Sequence, residues 1–125
     1  MMTAIIAVFL GGGVGAVIRF LIGKLIGYLY TGFFPLGTML SNITSCIIVA
    51  LILFGFNDAK WINQNSKLFL IIGLCGGLST FSTFSLDTFN LLKNGYLNWA
   101  IFNVIVSVVF CLLIIYIISK KSSIL

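Results

Sequence analysis

Residues 76–85 read GGLSTFSTFS, and this stretch lies inside a run that is otherwise apolar enough to cross a membrane. Its two adjacent glycines and five hydroxyl side chains are unfavourable in a lipid-facing helix, because the bilayer core offers no water to a hydroxyl group or a free carbonyl. Such a stretch is tolerated where it faces protein or lines a polar path. We therefore expect residues 76–85 to be the functional segment of the chain.

The composition of the chain is that of an integral membrane protein. Of its 125 residues, 61% are hydrophobic and 7% are charged, whereas a soluble domain carries about 25% charged residues. Histidine is absent and the acids are only Asp58 and Asp87; this removes most routes to acid–base catalysis, so we do not expect an enzyme. The basic residues are scattered at the ends of apolar runs, a pattern of contact with lipid headgroups rather than with nucleic acid.

Four apolar segments each have about the 20 residues that a helix needs to cross a bilayer. They span residues 3–26, 36–56, 67–92 and 97–119, and the connections between them are short. No soluble domain fits between them. The sequence therefore predicts an all-α integral membrane protein, with a single four-helix transmembrane domain over residues 1–125 in the cell membrane.

The distribution of basic residues gives only a weak indication of orientation. Four crossings place both termini on one side of the membrane, and that side holds a small excess of basic residues: Lys60, Lys67, Lys120 and Lys121 against Lys24 and Lys93. A small bias permits insertion in both orientations and hence an antiparallel homodimer. A single orientation is the alternative. Gly11 and Gly15 on the first helix form a small-xxx-small pair that suits close helix packing.

The third helix is predicted to break near the membrane midplane. Glycine is about 1 kcal/mol less favourable than alanine in a helix interior, and here Gly76 and Gly77 precede Ser79 and Thr80. A break exposes carbonyl oxygens. In an antiparallel dimer two breaks would meet at the two-fold axis and bind a hard cation such as Na⁺. The alternative is a simple kink whose carbonyls are satisfied by neighbouring helices.

Phe81 and Phe84 are three residues apart and share a helical face. Packing is the ordinary role of such a pair. The alternative uses the positive edge of an aromatic ring, which can contact an anion. With the hydroxyl groups of Ser82 and Thr83 between them, the two rings would form a path for a small anion, without a fixed positive charge to trap it.

Two further helices carry polar residues at helical spacing: Thr38, Asn42 and Ser45 on the second helix, and Asn103, Ser107 and Cys111 on the fourth. The amide NH₂ of Asn42 can donate to an anion or to another helix. We take Thr38, Asn42 and Ser107 as candidate pore residues. Arg19 is the only basic residue well inside a predicted span; it draws anions into a vestibule, extends to the membrane surface or pairs with a carboxylate.

Three motifs resemble one known family. Residues 73–85 read GLCGGLSTFSTFS, residues 12–19 read GGVGAVIR, and Gly37-Thr38 is followed by Asn42. In these motifs, and over nearly its whole length, the chain resembles the Fluc (CrcB-type) fluoride channels. The resemblance implies a passive, fluoride-selective channel that exports cytoplasmic fluoride and lowers its toxicity. It also implies two pores in an antiparallel, dual-topology homodimer, a structural Na⁺ at its centre and no organic cofactor.

The resemblance further implies roles for single residues. The matching positions give a fluoride track that consists of Asn42, Phe81, Ser82, Thr83 and Phe84. The backbone carbonyls of Gly76 and Ser79 would hold the Na⁺, and Arg19 would line the vestibule. The chain departs from the family pattern at four positions, which are Ser79, Asp87, Asn103 and Cys111. Asp87 stands where glutamate is common, and its carboxylate is one methylene shorter.

Two other functions are compatible with a small four-helix membrane protein. A proton-coupled multidrug exporter needs an intramembrane carboxylate; Asp87 is the only candidate, and we expect it close to a helix end as a solvated acid. A structural or assembly protein is permitted by the composition, but it would leave the three polar faces unexplained.

Overall fold

The computed structural model describes residues 1–56, 59–60 and 62–122, and the regular secondary structure of these residues is helical, without any strand. The first and last helices are long: α1 spans Met2–Leu29 and α6 spans Leu97–Ser122. Helix α2, Leu36–Ala50, continues as π-helical turns over Leu51–Gly55. The third span is assembled from α3 (Gln64–Lys67), π-helical turns over Leu68–Cys75, α4 (Gly76–Leu78) and α5 (Phe81–Lys93).

Four stretches of helix are long and apolar enough to cross a membrane. They are Met2–Leu29, Leu36–Gly55, Gln64–Lys93 and Leu97–Ser122. The prediction of an all-helical chain with four crossings is therefore confirmed for the part of the chain that the structure describes.

The helix ends follow from local chemistry. Helix α2 begins after Pro35, which has no backbone N–H to leave unpaired at a helix start. Asn63 caps α3, because its side-chain oxygen accepts a hydrogen bond of 2.9 Å from the N–H of Ser66. After α5 the chain reverses through Gly95, whose φ of 81° is a conformation that glycine adopts without a Cβ clash.

Helix α1 packs tightly on the third span through glycines of both helices. A Cβ added at Gly11 would collide with the carbonyl oxygen of Phe69, and one added at Gly15 with that of Leu74. From the other side, a Cβ at Gly77 would collide with the carbonyl oxygen of Gly12. The small-residue pair of Gly11 and Gly15 is thus used within the subunit, where it brings two backbones into contact.

Helix α6 packs against α2 and α5. An aromatic cluster anchors its first turns: the ring of buried Phe34 lies 5.6 Å from that of Trp99 and 5.5 Å from that of Phe102. Most large apolar side chains of α1 and α6 are exposed instead. This is expected of lipid-facing residues, because lipid tails are as apolar as the side chains they meet.

Candidate functional site

Two residues with extended backbone separate α4 from α5. Ser79 has φ −78° and ψ 155°, and Thr80 has φ −154° and ψ 118°. Both lie in the GGLST sequence. Residues in this conformation cannot continue the i to i−4 hydrogen-bond ladder, so the backbone groups around them need other partners.

Asn42 on α2 supplies one of these partners. Its Oδ1 accepts a hydrogen bond of 2.8 Å from the backbone N–H of Thr80. The Thr80 hydroxyl caps α5 in turn, since Oγ1 accepts from the N–H of Thr83 at 3.2 Å. Among the described residues, none accepts a hydrogen bond from Nδ2 of Asn42, so its two N–H groups are available to a ligand.

Because of these side-chain hydrogen bonds, two backbone carbonyl oxygens lose the partners that they would have in a helix. In a regular helix the N–H groups of Thr80 and Thr83 would donate to the carbonyls of Gly76 and Ser79, but here they donate to Asn42 and to the Thr80 hydroxyl. Within the described part of the chain, the carbonyl oxygens of Gly76 and Ser79 accept no backbone hydrogen bond from the following turn. Gly76 is exposed, and no atom lies within 4 Å of the place that a Cβ would occupy.

The carbonyl of Cys75, one residue earlier, is by contrast fully used. It accepts from the N–H of Ser79 at 2.9 Å, from the Ser79 hydroxyl at 2.8 Å and from the Ser45 hydroxyl at 2.9 Å. The hydroxyls of Ser45 and Ser79 therefore satisfy the carbonyl of the last residue of the π-helical segment. The Ser79 side chain thus has a structural role at the end of this segment.

An open groove with a volume of about 420 Å³ runs beside this point, between α2, α5 and α6. Its polar and aromatic walls bring together Asn42, Ser79, Thr80, Phe81, Phe84 and Ser107. The rings of Phe81 and Phe84 have centroids 5.8 Å apart and an interplanar angle of 39°. Phe81 is 80% exposed in the subunit. None of the residues that line the groove is charged.

Some of the predicted pore residues lie outside this groove. Ser82 and Thr83 are on the adjoining turn, where their hydroxyls lie 3.2 Å and 3.1 Å from the Thr80 hydroxyl. The Thr83 hydroxyl accepts from Thr80 and keeps its own proton for another acceptor. Arg19 is half-buried on α1.

Thr38 lies away from the groove because it is paired with Asp87. Its hydroxyl donates to a carboxylate oxygen of Asp87 at 2.6 Å. Asp87 lies in the middle of α5 and faces a second cavity of about 490 Å³, which Asn90, Asn94 and Tyr96 also line. Asp87 therefore faces an open cavity, as a solvated acid would, but it lies within α5 rather than at its end and is hydrogen-bonded to Thr38.

A chain of hydrogen bonds joins α6 to α5 beside the groove. Ser107 donates to Asn103 at 3.4 Å, Asn103 donates to Thr88 at 2.9 Å, and Thr88 donates to the carbonyl of Phe84 at 2.8 Å. Asn103 is 1% exposed. It links the Ser107 hydroxyl to the helix that carries Phe84.

The candidate set from the sequence omitted Thr80 and Thr88. Thr80 carries the signal of a helix cap, a hydroxyl residue placed immediately before a helical run. Thr88 lies four residues after Phe84 and four before Leu92, on a helical face that the sequence alone does not orient. Its partner on α6 becomes visible only when the two helices are packed.

The chain matches a family model over residues 6–118, described as CrcB-like protein, Camphor Resistance (CrcB). Curated relatives are similar over most of the chain. One from Shewanella pealeana, named fluoride-specific ion channel FluC, is 38% identical over 92% of this chain and 92% of its own. One from Clostridium perfringens with the same name is 40% identical over 93% and 91%, and fluoride-specific ion channel FluC 1 from Nitrobacter hamburgensis is 45% identical over 74% of each chain.

Proposed function

Because the chain belongs to the CrcB-like family of fluoride-specific ion channels, we propose that it is a passive, fluoride-selective channel that exports cytoplasmic fluoride and lowers its toxicity. It is a multi-pass integral membrane protein. The family is one of ion channels, so the prediction that the chain is not an enzyme is confirmed. The protein would be located in the cell membrane, and residues 1–125 would form a single transmembrane domain.

The observation that carries this proposal is the uncharged groove beside the extended residues Ser79 and Thr80. A small anion that leaves water needs hydrogen-bond donors in place of its hydration shell. Asn42 has free N–H groups at the groove, and the edges of Phe81 and Phe84 carry partial positive charge. No charged side chain lines the groove, which favours release, because conduction requires binding that is weak enough to reverse.

Neighbouring residues would extend the path. Ser82 and Thr83 would continue it along the next turn of α5, and Ser107 would contribute from α6. Thr38 would act further along the third span, where it meets Asp87 near the middle of α5. Arg19 would attract anions to the vestibule by its charge alone.

We propose that Ser79 and Thr80 form a functional break in the third span, and that it holds a structural Na⁺. The free carbonyl oxygens of Gly76 and Ser79 suit a hard cation, as unwound backbone carbonyls do in transporters. One subunit supplies only these two ligands. A second subunit related by a two-fold axis would double them, and the exposed surface at Gly76 leaves room for its approach.

We also propose an antiparallel, dual-topology homodimer with two pores. Phe81 is a large ring that is 80% exposed at the edge of the groove, and the groove is open along its length. A second copy would cover both. Each subunit would then contribute one groove and complete the wall of the other.

The driving force needs no coupled reaction. A membrane potential that is negative inside moves an anion outward with about 2.3 kcal/mol per 100 mV. Fluoride that enters as neutral HF and ionises in the cytoplasm would leave through the channel by this field.

Fluoride efflux from proteoliposomes tests the proposal. Vesicles loaded with potassium fluoride are diluted into fluoride-free buffer of low potassium, and valinomycin sets the potential. We expect fluoride to appear outside far faster than from protein-free vesicles, and vesicles loaded with potassium chloride to retain their chloride. Efflux at the protein-free rate from monodisperse, correctly folded protein contradicts the proposal.

A further inference from the structure

Two of the three cysteines meet on the wall of the groove. Cys46 is on α2 and Cys111 is on α6, and both line the groove beside Asn42 and Ser107. The two helices pack against each other, so the two thiols face one groove from opposite helices. The third cysteine, Cys75, lies in the third span, does not line the groove and is only 2% exposed.

We propose that Cys46 and Cys111 form a two-thiolate site for a soft, thiophilic divalent cation that takes two ligands in line, of which Hg²⁺ is the type. Thiolates select soft metals. Zinc needs four ligands, and the described residues offer no group of three or more histidine, cysteine or acidic side chains that could hold a metal. A pair of thiols from two facing helices meets the needs of a two-coordinate ion.

Charge balance selects a divalent ion. Two thiols and one Hg²⁺ give a neutral bis-thiolate and release two protons to water, with two S–H bonds broken and two S–Hg bonds formed. A monovalent soft ion with the same two ligands would leave a net negative charge inside the membrane. Burial of an uncompensated charge in an apolar medium is costly, so the neutral product is preferred.

The bound metal would lie in the groove beside Asn42 and Ser107. It would bridge α2 to α6 and narrow the space between them. If the groove is the fluoride path, as proposed above, the metal blocks conduction. Binding itself does not depend on that function, and the two are tested separately.

Intact mass spectrometry of the detergent-solubilised full chain tests binding. Protein treated with Hg²⁺ and then challenged with glutathione should retain one mercury per chain, with the loss of two protons. The second thiol acts within the same molecule, so release should need roughly a hundredfold more glutathione than release from a single thiol. Cys46→Ser and Cys111→Ser should each lose this resistance, while Cys75→Ser keeps it.

Methylmercury provides a test on the unmodified chain, should the serine variants fail to fold. It binds only one thiol, so glutathione at the lower concentration should remove it. Equal retention of both mercurials overturns the proposal, as does Hg²⁺ retention that follows Cys75 or that survives in Cys46→Ser.

Fluoride efflux then tests the consequence. Hg²⁺ should stop efflux through the unmodified chain and through Cys75→Ser, and the block should reverse with a dithiol. A chain that retains Hg²⁺ but conducts no fluoride without metal contradicts the proposed function and leaves the metal site standing. A chain that conducts and does not retain Hg²⁺ overturns the metal site alone.

Discussion

Asn42 Oδ1 accepts a hydrogen bond of 2.8 Å from the backbone N–H of Thr80. This contact joins the middle of α2 to the start of α5 across 38 residues of sequence. It removes the donor that would pair with the Gly76 carbonyl in a regular helix, and it leaves the amide NH₂ of Asn42, a residue that lines the groove, without a partner among the described residues. One side chain thus supports both the proposed cation site and the proposed anion path.

Substitution of Asn42 should separate its two roles. Asn42→Asp keeps an oxygen to accept from Thr80 but loses the donor NH₂ group, so we expect the fold to persist and fluoride efflux to fall. A hydrogen bond to a charged group contributes about 1.5–3 kcal/mol, and about 1.4 kcal/mol corresponds to a tenfold change in rate. Efflux should therefore fall by roughly tenfold or more.

Asn42→Leu is the matched variant for stability, because it also removes the acceptor of the Thr80 N–H. Loss of one partner of a half-buried hydrogen bond costs about 1–3 kcal/mol. Thermal unfolding in detergent, measured as the loss of the folded peak in size-exclusion chromatography, should show a lower midpoint temperature for Asn42→Leu than for Asn42→Asp. Full efflux in Asn42→Asp would show that the amide donor is not used.

Phe81→Ile and Phe84→Ile should reduce fluoride efflux strongly while the protein remains monodisperse. Isoleucine keeps the apolar bulk but has no ring edge with partial positive charge. Phe110→Ile on α6 is the control, since Phe110 is exposed and does not line the groove. Unchanged efflux in both Phe81→Ile and Phe84→Ile would refute the ring-edge role.

Gly15→Val should destabilise the chain, because the new Cβ meets the carbonyl oxygen of Leu74 and the backbone cannot move aside as a side chain would. Overpacking of this kind costs about 1–3 kcal/mol. Gly13→Ala is the control: no atom lies within 4 Å of its Cβ position, and alanine favours a helix over glycine by about 1 kcal/mol. The unfolding midpoint should fall in the first variant and not in the second; equal midpoints would contradict the packing.

Replacement of Na⁺ by a large organic cation during purification should lower fluoride efflux, and restored Na⁺ should recover it. Ser79→Ala should change this Na⁺ dependence little, because the proposed ligand is a carbonyl and Cys75 keeps two other donors. Loss of the Ser79 hydroxyl bond costs about 0.5–1.5 kcal/mol. Gly76→Val should impair Na⁺ dependence more, since it fills the open surface at that carbonyl. The reverse order of the two variants would place the cation elsewhere.

Properties that depend on a run of residues could be read from the sequence. The length and apolarity of the four segments determine four crossings, because bilayer thickness sets the number of residues that a span needs. The two extended residues Ser79 and Thr80 lie one residue beyond the paired glycines, where local helix propensity is low. The three motifs, of which GLCGGLSTFSTFS is the longest, also indicated the family that the comparisons with known proteins confirm.

The pairing of polar groups was decided only by the tertiary structure. Helical spacing places Thr38 and Asn42 on one face, yet Thr38 donates to Asp87 while Asn42 accepts from Thr80. Ser107 likewise reaches Thr88 only through buried Asn103. Such partners are far apart in sequence, and their meeting depends on how each helix is rotated and shifted against its neighbours. Helical periodicity predicts which side chains share a face. What that face contacts depends on how the helices pack, which here is set by glycines against backbone and by aromatic rings between helices.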